Sequence, residues 1–224
     1  MSMANLIVQP DAAYIATDSG YFRKDGTIIG FYPKAMELAD QSIAIASVGS
    51  LHLGYLAREL QKWPDRKGWS QIEMLARLPG IVKDAYASSG LDNSERWSRF
   101  VIGFYSHKLQ RALGMTFFTA DSGGPSDKKP WVLYPAPVVL MPLLAMGEVY
   151  DGPVNLADPS FFDPHRDVMP MVEAQRRKCG GWGGIAEGCS AVAGEIVLTA
   201  VTRDGITHTV LHEYPDQVGQ KAAA

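Results

Sequence analysis

Short apolar runs separated by turn residues fill the first fifty positions of the chain. Residues 6–8 and 12–17 read as two strands, broken by the turn chemistry of Pro10 and Asp11. Lys24, Asp25 and Gly26 give a hairpin signal with residues 27–32 as the returning strand, and residues 42–48 form another run of strand length. The period then changes. Leu53, Leu56, Ala57 and Leu60 recur at helical spacing within residues 51–63, and Pro64 stops the pattern. Ser70 and Glu73 make a capping box that opens a second helix through Leu75, Leu78, Ile81, Val82 and Ala85. That helix is expected to end before Gly90 and to bend at Pro79.

Residues 97–105 and 113–119 return to strands rich in aromatic and β-branched side chains. A polar loop over 125–130 precedes a short strand at 131–134, and the apolar run 138–146 suits either helix or strand. Residues 167–178 predict a helix with Val168, Met171, Val172 and Gln175 on one side. The clearest hairpin comes last, with strands 195–202 and 206–214 joined by Arg203, Asp204 and Gly205. Hairpins dominate over βαβ alternation, so the order predicts antiparallel sheets with helices packed outside them, an α+β fold in four αββα layers.

Composition narrows the function classes. A chain of 224 residues fits one domain over 1–224, with 222–224 as a tail. A net charge of −3 with the two signs interspersed gives no electrostatic case for nucleic acid or an anionic membrane as partner. The longest apolar stretch, 137–146, is interrupted by Pro142 and too short to span a bilayer. No Lys/Arg-led apolar leader opens the chain, so a cytoplasmic protein is expected. Cys179 and Cys189, ten apart, match no metal-binding spacing and read as free thiols.

Residues 11–19 (Asp-Ala-Ala-Tyr-Ile-Ala-Thr-Asp-Ser) form an apolar strand ending in an acidic residue. They are followed by the Asp25–Gly26 turn, by Lys34 in a Tyr-Pro-Lys-Ala-Met segment, and by a strand over 43–49 that enters a glycine turn. Together with the closing stretch 194–205, this pattern resembles the proteasome β-type subunits of the Ntn (N-terminal nucleophile) hydrolases. The likeness covers most of the chain as an order of elements and is most specific in residues 2–60 and 194–214. It implies a fold of the Ntn-hydrolase type and a nucleophile at the mature N-terminus, whose free α-amino group serves as the base. Aligned backwards from Asp18, the nucleophile position falls on Ser2, exposed if Met1 is removed. Asp18 lies sixteen residues after Ser2, and Lys34 sixteen after Asp18, as in the family's pattern. The resemblance therefore implies Ser2 as nucleophile, Lys34 as its proton-shuttling partner, Asp18 as the group orienting that lysine, and Gly49, one residue off the family spacing, as the oxyanion turn.

The same resemblance implies a homo-oligomer in a ring or stacked rings acting on peptide or amide bonds, and leaves an ATPase partner open. Two departures favour an alternative, a non-catalytic proteasome-like structural or binding protein that forms oligomers. The family's acidic residue and serine before the last hairpin fall here among Gly188, Cys189, Ser190 and Ala191, and its Gly-Ser-Gly has only Ala145, Met146 and Gly147 as a counterpart. A second serine signal, Ser122 in residues 120–125, is similar to the nucleophile motif of trypsin-like proteases. The helices expected over 51–88 do not suit that double-barrel fold. His208 and His212, four apart on a predicted strand, are expected to share a face without a third metal ligand nearby. The glycine-rich residues 179–184 follow a helix instead of a strand, as phosphate-binding loops do not. No cofactor or metal is expected.

Overall fold

A computed structural model describes residues 3–92, 97–120, 127–142, 159–177 and 188–222. Ser2, the Ser122 motif, Met146–Gly147 and the glycine-rich stretch after Lys178 lie outside the described residues.

Strands β1 (Ala4–Val8), β2 (Ala12–Asp18), β3 (Gly20–Phe22), β4 (Ile28–Phe31), β5 (Ala35–Leu38) and β6 (Ile43–Gly49) lead into helices α1 (Leu53–Gln61) and α2 (Gln71–Ser89). After these come β7 (Ser98–Ser106), β8 (Arg111–Phe118), β9 (Tyr134–Pro135), β10 (Val138–Val139), α3 (Pro164–Arg177), β11 (Glu195–Thr202) and β12 (Gly205–Glu213). One five-stranded sheet has the order β10-β1-β2-β11-β12 and the other β5-β6-β7-β8-β9; β3 and β4 form a separate hairpin. Every strand pairing is antiparallel.

Alternation along the strands builds the layers. On β6, Ile43 and Ile45 face one way and join Leu53, Leu56, Leu60, Leu78, Val82 and Tyr86 of α1 and α2. Ala44, Ala46 and Val48 face the other way and meet Ala4, Leu6, Ala13 and Ile15 of the opposite sheet. The far side of that sheet carries Ile7, Ala16, Ile196 and Leu198 against Val168, Met171 and Val172 of α3. Helix, sheet, sheet, helix is the four-layer αββα sandwich that the element order predicts. Part of the seam between the sheets is made of small residues, Ala4, Ala13, Ala44 and Ala46 among them. A Cβ at Gly103 would sit 2.9 Å from the Cβ of Ala13, so the sheets approach as closely as their side chains allow.

Local chemistry explains the helix limits. Ser70 Oγ accepts the Glu73 N–H while the Glu73 carboxylate accepts the Ser70 N–H, the capping box read in the sequence. The helix continues through Pro79 and stops at Gly90, which takes the left-handed conformation. Helix α3 is tied to its sheet by a reciprocal amide pair: Asn5 Nδ2 donates to Gln175 Oε1 at 2.7 Å and Gln175 Nε2 donates to Asn5 Oδ1 at 2.8 Å, with both residues buried. Gln175→Ala is expected to cost about 1–3 kcal/mol, because it leaves the buried Asn5 Nδ2 without an acceptor and Asn5 Oδ1 with only the Met141 N–H. The midpoint of denaturant unfolding reads this loss. Among the described residues no helix is long and apolar enough to cross a membrane.

Two sequence expectations change. Ala35–Leu38 forms a strand, β5, that the apolar pattern did not mark, and residues 131–134 contribute a strand only at Tyr134–Pro135. A bulge also separates the two histidines. Val197 pairs with Val210 but Ile196 pairs with His212, so the extra residue in β12 turns His212 onto the face opposite to His208. His208 contacts Thr199, whereas His212 packs on Tyr214.

Candidate functional site

The end of β2 delivers a carboxylate into a ring of donors. Lys34 Nζ donates to Asp18 Oδ1 at 2.6 Å, and the backbone N–H of Met3 donates to the same oxygen at 2.8 Å. The other oxygen accepts the N–H of Ala193 at 3.1 Å and that of Gly20 at 3.2 Å. Asp18 and Lys34 are each 1% exposed, so the pair is removed from solvent. Lys34 also donates to the Gly20 carbonyl and lies 5.2 Å from the Tyr21 ring centre. Burial pulls the Lys34 pKa below its ordinary value, and the Asp18 charge opposes that pull. A lysine so placed gives up a proton more readily than one in water, while the carboxylate fixes where its ammonium points. Burial, and then the Asp18 charge, push the Tyr21 hydroxyl pKa upward.

Lys34 sits just before β5, and its carbonyl accepts the Ser47 N–H of β6. Two residues further along β6, about 7 Å at strand rise, Gly49 ends the strand at φ +118. Its turn is held to the start of β7: the Ser50 N–H donates to the Trp97 carbonyl at 2.7 Å and the Leu51 N–H to Ser98 Oγ at 3.1 Å. His52 then caps α1, its Nδ1 accepting the Gly54 N–H, and burial lowers its pKa, which favours the neutral ring that a cap acceptor needs. The rings of Tyr21, Tyr32 and His52 pack on one another at 5.2–5.4 Å between centres.

Asp18 and Lys34 therefore meet, and Gly49 lies at the same end of the sandwich on the strand next to β5. Ser2 is outside the described residues, but its chain neighbour Met3 is bound to Asp18. Sequence reasoning missed the backbone donors from Gly20 and Ala193, since backbone donors leave no trace in residue identity.

A cavity of about 500 Å³ adjoins the pair, lined among others by Thr17, Ser19, Tyr32, Lys34, Glu195 and His208. At its edge Thr199 Oγ1 is 2.9 Å from His208 Nδ1, and His208 Nε2 is 3.2 Å from Glu37 Oε2. The hydroxyl–imidazole–carboxylate order is that of a serine-hydrolase triad, yet Thr199 is fully buried and its hydroxyl is closed to any substrate. The contact links the edge strands of the two sheets.

The layered sheets, with the Asp18–Lys34 pair at their open end, define a proteasome-like Ntn-hydrolase fold. Among solved structures, a mutant form of Anbu from Hyphomicrobium sp. strain MC1 matches over 97% of this chain and 90% of that chain, at 13% identity and a TM-score of 0.61. Anbu is a bacterial proteasome-like, Ntn-hydrolase-related protein, and the likeness is one of fold. No family model matches the sequence, and no curated protein does.

Proposed function

We propose that this chain is a proteasome-like N-terminal-nucleophile hydrolase that cleaves peptide or amide bonds through Ser2 once Met1 has been removed. The observation that carries this reading is the Asp18 carboxylate, which holds both Lys34 Nζ and the N–H of Met3, the residue that follows Ser2. In the proposed step Ser2 Oγ attacks the carbonyl carbon while its α-amino group takes the hydroxyl proton, with a reference pKa near 8 that leaves about a tenth of it unprotonated at pH 7. Lys34 beside them stabilises and relays that proton, and the turn at Gly49 offers a backbone N–H to the developing oxyanion. The proton passes to the departing amine, and water then releases the acyl group from Ser2. We further propose that the chain is a single domain, that it works in the cytoplasm as a homo-oligomer, and that its substrate enters beside Lys34.

The mass of the chain expressed without an N-terminal tag tests the first requirement. Loss of Met1 is expected. Ser2→Ala should then lower amide hydrolysis by about a thousandfold or more, as removal of a nucleophile does in other hydrolases. Retained Met1 would instead favour a non-catalytic proteasome-like oligomer, and full activity in Ser2→Ala would overturn Ser2 as the nucleophile.

A further inference from the structure

Arg99 is the second residue of β7, opposite Val48 on β6 and Phe118 on β8. Directly paired residues share a face, and Val48 and Val101 both belong to the cluster between the two sheets. Arg99 therefore projects into the layer between the sheets, at the end where Gly49 and Lys34 lie. It is half-buried. Its one hydrogen bond among the described residues is long, 3.4 Å from Nε to Thr116 Oγ1, and no described carboxylate pairs with it. Burial lowers its pKa, with no charged neighbour contributing. A guanidinium partly withdrawn from water without a counter-charge is costly, and its forked donors match a carboxylate in two parallel bonds.

The cavity on the other side of Lys34, which Arg99 does not line, carries the other sign. Glu195 and Glu213 face each other across β11 and β12, line the cavity beside Lys34, and have no side-chain partner among the described residues. Lys34 is linked to Ser47, and Ser47 pairs with Phe100, so the strand bearing Arg99 runs about 10 Å from Lys34, two strand spacings. Carboxylates in that cavity and an unpaired arginine on β7 would turn an acidic substrate away from the one and toward the other.

We propose that Arg99 is a specificity-determining residue that binds a side-chain carboxylate of an acidic peptide substrate and directs it toward β7, away from the cavity that holds Glu195 and Glu213. This rests on the reading of the Asp18–Lys34 end as the reaction site, but its test does not require turnover. In the full chain carrying Ser2→Ala, calorimetry would compare two acetylated tripeptide amides, Ala-Glu-Ala and Ala-Gln-Ala. The glutamate peptide is expected to bind about tenfold tighter, the worth of one charge-assisted contact. Arg99→Met should abolish the preference and Arg99→Lys should keep part of it, since lysine retains the charge without the fork. Equal binding of the two peptides, no binding of either, or a preference that survives Arg99→Met would overturn the proposal. Hydrolysis by the unsubstituted chain is a separate measurement, so failure of the Ser2 reading leaves this result intact.

Discussion

Asp18→Ala is expected to destabilise the fold more than Lys34→Met, although the two residues form one ion pair. Removing Lys34 leaves a carboxylate that still accepts three backbone N–H groups, from Met3, Gly20 and Ala193. Removing Asp18 leaves a fully buried ammonium with only the Gly20 carbonyl as acceptor, and strips the Met3 and Ala193 N–H groups of theirs, while the Gly20 N–H keeps the Ala193 carbonyl. Breaking a buried ion pair by deleting one partner costs about 3–5 kcal/mol. Asp18→Ala should reach the top of that range and Lys34→Met should fall at or below its foot. Chemical denaturation of the two variants side by side reads the difference. Equal losses would mean that the backbone donors contribute nothing beyond the lysine.

Gly49→Ala is the second large effect. At φ +118 an L-residue is strained in any surroundings, and here the surroundings are closed as well. An added Cβ would lie 2.2 Å from the Trp97 carbonyl oxygen and 2.6 Å from Ser98 Cα, and both are backbone of the neighbouring strand. The β6 end would have to part from β7, for a loss of about 3 kcal/mol or more. Gly90 provides the comparison. It is also left-handed, at φ +74, but a Cβ there meets nothing within 4 Å, so Gly90→Ala should cost only about 1 kcal/mol. Thermal unfolding of the two variants separates strain alone from strain with a clash.

Much of the sandwich was legible because its elements are long and strongly patterned. The capping box at Ser70, the closing hairpin around Gly205 and the alternating faces of β6 follow directly from residue types. The family resemblance also implied that Asp18 would hold Lys34, and the two side chains are bonded. What escaped was short or non-local. Strand β5 has four residues, with Glu37 among them, too few to show a period. The opposed faces of His208 and His212 come from a single bulge, which spacing along one strand cannot reveal. Arg99 looks like any strand arginine until the register with Val48 shows which way it points.

The four donors around Asp18 also order events in time. Met3 lies 15 residues before it along the chain, and Ala193 lies 175 residues after it. A growing chain can therefore assemble β1, β2 and the Lys34 contact early, while the second carboxylate oxygen waits for the segment entering β11. Closure over so long a loop is slow and comes only when most of the chain is present. The acidic centre is thus completed by the closing part of the polypeptide, and a chain cut short before β11 can hold the lysine but not the finished cradle.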